Sequence, residues 1–556
     1  MDLHVQQRAV LAVLSAKLRS GAISRRQFFQ AAAFFGVGAG VASRAIAAPQ
    51  SAVAAPARSS RAMAQGGEGE VRFLVAEAFW ADWHPYLHTA QIQRRIEQQI
   101  FDPLVRIETA DIAALSPALA ESWENIDELT WEFKLRQEVM FHNGQPFTGA
   151  DVKASVELAT GATAEETASA ADYVPTTVEI VDDFTVRLMT ATPFAPLLSG
   201  LATLPILSAA DIQPSVDLAT PSAGIETLKA APNGTGPFRL ADDQNDLKTM
   251  EANPEYWGGA PAIQTLVWEY IADSQTRLNA LLAGQADAID RVPPEHLPIL
   301  QETPDVALIS TVGLENVNLW IRQDAPPPWD NPKLREAVAW SIDREALVKN
   351  LVGGASEVAV THIPNKALFA VPQEPAYTFD PDRARAALAE AGLADAPPEI
   401  ALWGVTGFLP RGQEVAEAIA DSLQQVGFPV QLQVTDVAAI IDGLFNPDKP
   451  GLMFHLSWSS NGDPHSALAT LYHSPGAWAG AHDPTIDDLI DRGAAATDPE
   501  ERAKIYEELQ SYLWQNMPHI PLYNSDFTIA HRARLEGVVA LPNFMTYFDK
   551  ATLAEG

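Results

Sequence analysis

Chemistry in this chain of 556 residues would rest on its twelve histidines and seventy-one carboxylates, because it holds no cysteine. Disulfides, thiolate metal sites, thiol nucleophiles and a lipid-modified cysteine anchor are excluded with it. The sequence carries no Gly-x-Ser-x-Gly elbow, no His-Glu-x-x-His pair and no Gly-x-x-x-x-Gly-Lys phosphate loop. His84 and His88 stand four apart, a spacing that binds metal on a helix face, but Pro85 between them points to a loop or a helix start. No catalytic residue, metal or cofactor is expected. Histidines and carboxylates distant in sequence could still converge, which keeps a secreted acidic hydrolase as the alternative of another class.

Binding needs different residues: a cleft between domains, aromatic walls and a few charges that replace lost hydration. A small zwitterion enclosed between two lobes must have both ends compensated, since an unpaired buried charge costs several kcal/mol. Asp463, in Trp458-Ser459-Ser460-Asn461-Gly462-Asp463-Pro464, follows an apolar strand, where loops of α/β domains face the cleft. It suits an ammonium group. Its alternative is a simple turn in which the carboxylate bonds its own backbone. Arg411, in the loop after the strand ending Leu402-Trp403, suits a carboxylate through its planar fork, with a surface arginine as the alternative. Trp403, Trp458 and Trp478 are candidate stacking walls, or else core.

The elements that must position these groups alternate between strand and helix. Val71–Val75, Leu129–Leu135, Thr185–Met189, Ile263–Ile271 and Met453–Trp458 have strand patterns, while Arg277–Gly284, Gly412–Val426 and Glu500–Trp514 read as helices, the first two with glycine stops. Asn143-Gly144 is a turn, and Thr148 with Asp151 three residues on resembles a capped helix start. The β-α-β succession around residues 263–289 predicts a mostly parallel sheet and an α/β class.

The net charge of −34 repels phosphate backbones and excludes nucleic acid as a partner. Residues 1–47 hold six basic side chains against one acid. Ser24-Arg25-Arg26-Gln27-Phe28-Phe29 matches the twin-arginine export pattern, followed by the apolar run Ala31–Ala42 and Ala45-Ile46-Ala47. That run is too short to span a bilayer, which takes about 20 residues. A second cleavage position follows Ala62-Met63-Ala64. Arg25 and Arg26 are therefore expected to address the chain through the twin-arginine machinery to the periplasm, as a soluble protein without a lipid anchor.

One stretch, Leu119 to Glu157, carries a resemblance. Ala120-Glu121-Ser122-Trp123, then Leu129-Thr130-Trp131-Glu132-Phe133-Lys134-Leu135-Arg136, then Val139-Met140-Phe141-His142-Asn143-Gly144-Gln145-Pro146-Phe147-Thr148-Gly149-Ala150-Asp151-Val152 resemble the hallmark segment of the solute-binding proteins of peptide-type ABC importers, the dipeptide, oligopeptide and nickel binders. Similar segments recur at Phe101–Arg106, Thr235–Phe238, Asn253–Gly259, Asp330–Ala337 and Ile520–Tyr523, so the likeness spans residues 71 to 545. A departure stands at Gln323, where the family commonly has Asn before a proline-rich linker. The Asn-Gly-Asp-Pro segment resembles the dipeptide binders, whose matching aspartate pairs with the ligand's α-amino group; the family also carries an arginine near position 411.

The resemblance implies a bilobal, class II periplasmic-binding-protein fold with an additional third domain. The expected division is a signal peptide 1–47, a leader 48–70, a first lobe of 71–107, 230–313 and 526–556, an extra domain 108–229, and a third domain 314–525. It implies a monomeric partner of an inner-membrane ABC permease that captures a di- or oligopeptide by hinge closure about residues 313–322 and 522–528. A non-peptide solute, such as an oligosaccharide, metal chelate or cationic metabolite, is the alternative within the fold.

Overall fold

The computed structural model describes residues 14–15, 69–79, 83–87, 91–160, 176–212, 228, 230–323, 328–405, 409, 411–435, 439–440, 452–459, 461–474 and 482–554, with the backbone alone at 452–459. The signal region with Arg25 and Arg26, and also His88 and Trp478, lie outside the described residues. No helix among the described residues is long and apolar enough to cross a membrane.

The first lobe opens with β1 (Glu70–Val75) and helix α1 (Gln91–Glu97), and the chain then leaves it through β2 (Val105–Ile107) and β3 (Leu115–Pro117). A middle body follows, with β4 (Ala120–Asp127), β5 (Thr130–Leu135), α2 (Gly149–Thr160), β6 (Thr176–Asp182) and β7 (Thr185–Thr190). Its strands form an antiparallel sheet in the order β4-β5-β7-β6. Period-two alternation puts Phe133, Val178, Val186 and Leu188 in the core. Glu132 on the opposite face pairs with Lys134 at 2.7 Å and Arg187 at 2.9 Å. The helix start is capped reciprocally: Thr148 donates its amide to Asp151 Oδ2 at 2.8 Å, while Thr148 Oγ1 accepts from the Ala150 amide at 3.3 Å.

The chain returns through β8 (Phe238–Gln244), β9 (Leu247–Ala252), β10 (Thr265–Tyr270), α3 (Ser274–Leu282) and β11 (Ala288–Ile289). The knot where it leaves and returns is built on Asp102, 2% exposed. Its carboxylate accepts from Thr235 Oγ1 at 2.9 Å, Trp257 Nε1 at 2.8 Å and Tyr256 Oη at 3.3 Å. Three family-like segments thus meet on one side chain. Gly236 is obligatory there, because an added Cβ would lie 2.6 Å from the carbonyl oxygen of Ile100.

Beyond the knot come the long β12 (Val306–Ile321), α4 (Pro332–Trp340), β13 (Glu357–Val358), α5 (Pro381–Glu390), β14 (Ile400–Val405), α6 (Gly412–Val426), β15 (Val430–Thr435), β16 (Leu452–Ser459), α7 (His465–Leu471), α8 (Pro484–Ala495), α9 (Pro499–Asn516) and β17 (Ile520–Arg532). Four of these helices start on an Asx-Pro pair, at Asn331, Asp380, Asp483 and Asp498, each side chain accepting from a first-turn amide. Proline at the first helical position needs no amide partner, and its fixed φ suits the helix.

One eleven-stranded sheet runs through both lobes in the order β15-β14-β16-β12-β17-β11-β1-β10-β9-β8, with β13 also on β17. The expectation of a mostly parallel sheet is corrected here. Parallel pairing is confined to β10-β1-β11 and β15-β14-β16, while β8, β9, β12 and β17 pair antiparallel. The long strands β12 and β17 belong to both halves, and their antiparallel ladder is what joins them. That ladder breaks register between Val312 and Asn316, opposite Asp526 and Asn524. Such a bulge bends and twists a strand pair locally. The α/β, bilobal periplasmic-binding-protein architecture follows from this arrangement.

Candidate functional site

The parallel strands of each half end towards the bulge. On the first lobe, Glu77 and Arg291 follow the ends of β1 and β11. A buried ion pair anchors that edge: Arg95 on α1 reaches Asp290 at 2.5 Å, and Asp290 accepts the Ala76 amide at 2.8 Å. The Arg95 guanidinium also lies over the Phe73, Trp268 and Phe527 rings, 5.0–5.6 Å from their centroids. Arg291, in the left-handed region at φ 45°, donates to Glu77 at 2.8 Å and Gln91 at 3.1 Å. Burial opposes its charge, yet Glu77, Glu315 and Asp290 together hold its pKa above the ordinary arginine value. Glu315, within the bulge, accepts from the Ser525 hydroxyl.

On the opposite side, β14 leads to Arg411 and β16 leads to Asp463. Asp463 is 2% exposed and forms a bidentate pair with Arg502 of α9, at 2.7 Å to Oδ2 and 2.9 Å to Oδ1. Its Oδ1 also accepts the His465 amide at 2.9 Å. Arg502 is itself fixed: Nε donates to the Gly493 carbonyl at 2.9 Å, Nη2 reaches Tyr506 Oη at 3.2 Å, and Phe369 and Tyr506 offer ring faces. The turn reading of Asn-Gly-Asp-Pro is realised in the His465 contact, with an ion pair added that no local pattern announced.

Arg411 adopts φ 49° at the start of α6 and pairs with Glu295 of the first lobe at 2.9 Å. Its partner in this structure is therefore a carboxylate of the protein, 116 positions away in sequence. Trp403 is 6% exposed within β14, its backbone between Gln433 and Phe454. Trp458 stands opposite Asn316 on the neighbouring strand, and its side chain is outside the described residues. Gln323 donates to the Pro518 carbonyl at 3.3 Å. His84 is fully buried and accepts the Tyr86 amide at 3.3 Å. No group of three or more metal-ligating side chains occurs among the described residues. A separate cavity, lined by Tyr86, Arg94, Glu97, Thr203 and Met545 among others, includes none of the cleft residues named above.

Arg502, Glu295 and the Glu77–Arg291 pair escaped the sequence reading. Each pairs with a residue 39, 116 or 214 positions away, separations at which periodicity and local motifs carry no information.

Comparison with known proteins agrees with this architecture. Residues 114–479 match the bacterial extracellular solute-binding proteins, family 5 Middle. The glutathione-binding protein GsiB of Pectobacterium atrosepticum is 28% identical over 456 residues, covering 79% of this chain and 85% of that protein. HbpA2 from Haemophilus parasuis superposes with a TM-score of 0.73 at 26% identity, over 87% of this chain and 100% of that one. The dipeptide binding protein from Pseudoalteromonas sp. SM9913, solved in complex with Met-Leu, gives a TM-score of 0.74 at 21% identity, over 87% and 100% of the two chains.

Proposed function

The chain belongs to the bacterial extracellular solute-binding proteins of family 5, and from that premise we propose that it is the periplasmic receptor of an ABC importer for short peptides. The observation that carries the proposal is the joint: two halves share β12 and β17, with a register break between them and charged groups on both facing edges. Closure about that joint is stabilised when a solute touches both lobes, because only differential contact shifts such an equilibrium. The closed form then delivers its solute to an inner-membrane permease, and the receptor catalyses nothing itself. We assign residues 71–107, 230–313 and 526–556 to the first lobe, 108–229 to the middle domain and 314–525 to the third. Export by the twin-arginine route through Arg25 and Arg26, as a monomer, completes the reading.

Within the site, Asp463 is assigned to the ligand's ammonium group, Arg411 to its carboxylate, and Trp403, Trp458 and Trp478 to the walls. A relative named for glutathione and a fold neighbour holding Met-Leu make these two compounds the first probes. The bidentate Arg502 contact favours a second reading, a non-peptide solute without an ammonium group, because the Asp463 charge is already compensated.

Native mass spectrometry of the purified mature chain, followed by denaturation and identification of the released compound, tests both. A peptide recovered intact supports the proposal. A sugar or metal chelate moves the assignment to the second reading, and a compound consumed on incubation makes the protein an enzyme.

A further inference from the structure

The middle body also touches the second lobe, and the contact converges on the loop that carries Asp463. Phe194 meets His465 edge-on, with centroids 5.3 Å apart and planes at 84°. The Ala195 amide donates to the Ala494 carbonyl at 2.8 Å. A Cβ built on Gly462 would lie 3.1 Å from Ile112 Cδ1, so the backbone of that loop packs directly on the middle body. Gly462 has φ +114°, a conformation that tolerates glycine.

These contacts close a ring. The last turn of α8 presents two successive carbonyls, Gly493 and Ala494, that the helix cannot satisfy itself. Arg502 takes the first and Ala195 of the middle body takes the second. Arg502 in turn grips Asp463, Asp463 holds the His465 amide, and His465 packs against Phe194. Phe194, His465 and Ile112 are buried, and His465 Nδ1 makes no hydrogen bond among the described residues. These side chains line a buried seam.

We infer that Phe194, Ala195 and Ile112 of the middle body form a closure seam with the 462–465 loop and the end of α8, so that the middle domain sets how far the lobes close. This deepens the transport reading and rests on lobe closure. The three residues are positioning residues: they act on the cleft through the Asp463 loop. If the second lobe swings away about the β12–β17 joint, the ring opens as a unit, exposing two aromatic rings and freeing one carbonyl.

The absence of native cysteine makes the seam directly testable in the full chain. Small-angle scattering without added solute compares wild type, Phe194→Ala, and Phe194→Ala combined with Ala195→Cys and Ala494→Cys. The expected result is a larger radius of gyration for F194A, a cross-link forming nearly quantitatively on mild oxidation, and return of the wild-type radius when oxidised. An F194A radius equal to wild type, or cysteines that fail to join, overturns the inference. Should F194A melt out, Ile112→Ala replaces it, and the cross-link on the otherwise wild-type chain stands alone as the second measurement. The transport reading fails separately. Wild type that never retains a solute while F194A expands sinks that reading and leaves the seam, whereas solute retention with an unchanged F194A radius sinks the seam alone.

Discussion

Two aspartates, both 2% exposed, anchor two regions of this chain, the knot and the loop after β16. Asp102, at the crossing into the middle body, is surrounded by neutral donors: a threonine hydroxyl, an indole and a phenol. Burial raises its pKa, only partly offset by the Trp257 hydrogen bond and the Arg106 charge. Asp463, in the loop after β16, instead faces a guanidinium that binds both its oxygens. The first carboxylate serves as a multiple acceptor and has little need of its charge. The second is half of an ion pair, and its charge is indispensable to the partner left behind. Equal burial thus conceals opposite electrostatics.

The same substitution breaks that symmetry and gives the largest expected effect. Asp463→Asn leaves Arg502 buried with no counter-charge, and stripping one partner from a buried pair costs about 3–5 kcal/mol. Asp102→Asn keeps an acceptor for Thr235 and Trp257, while the new amide can donate to Tyr256 Oη. It is expected to stay within about 1 kcal/mol of wild type. Urea unfolding of both variants checks this, and an equal loss at the two sites would refute the comparison. Solute affinity of D463N should be measured at a temperature where it remains folded. Stability lost with affinity retained assigns Asp463 to the fold; both lost together supports the ammonium contact.

Steric constraint is the knot's own vulnerability. Gly236→Ala would set a methyl 2.6 Å from the Ile100 carbonyl carbon and oxygen and 2.8 Å from the Gln99 oxygen. Backbone on both sides cannot yield as a flexible side chain would. The expected loss is about 3 kcal/mol, read from the same unfolding curves. By contrast, Gly144→Ala, with nothing within 4 Å of its added Cβ, meets only the strain of φ +83° and costs about 1 kcal/mol.

Acid acts on both regions through one histidine each. Burial lowers His142 at the knot to about 4, and lowers His465 at the seam to about 4. The folded state keeps both neutral, whereas the unfolded chain binds protons below an ordinary pKa of about 6.5. Their contribution is therefore complete above about pH 6.5 and is lost as pH falls towards 4. Each costs at most about 1.4 kcal/mol per pH unit across that window. Melting temperatures between pH 7 and 5 should fall, and His142→Gln and His465→Gln should each flatten the slope. A slope unchanged in both variants would assign the acid sensitivity to other groups.

The knot was far more legible than the cleft. Phe101–Arg106, Thr235–Phe238 and Asn253–Gly259 stood out through their resemblance to the family's segments. The structure then explains why, by bringing all three to Asp102. Local rules also succeeded for α6 with its Gly427 stop at φ +115° and for the Thr148–Asp151 cap. They failed where a partner had to be chosen at long range. Nothing near Asp463 names Arg502, and alternation around residues 263–289 could not foresee that β12 and β17 would thread antiparallel between the two parallel triplets.

The smallest effect belongs to the Arg411–Glu295 pair. Arg411 and Glu295 belong to different lobes and bond at 2.9 Å, but their side chains are 33% and 47% exposed. Solvent screening limits such a pair to about 0.2–1 kcal/mol, falling further as salt rises. Arg411→Ala should hardly move the melting temperature, yet an equilibrium between open and closed lobes responds to a fraction of a kcal/mol, because the two forms differ only in contacts between bodies. If Glu295 holds Arg411 in place of a ligand carboxylate, Glu295→Gln should tighten binding of Met-Leu and weaken the salt dependence of its affinity. If the pair only draws the lobes together, the same variant should loosen binding. Titration calorimetry at two salt concentrations separates the signs, and that sign decides whether Arg411 serves the solute or the closed form.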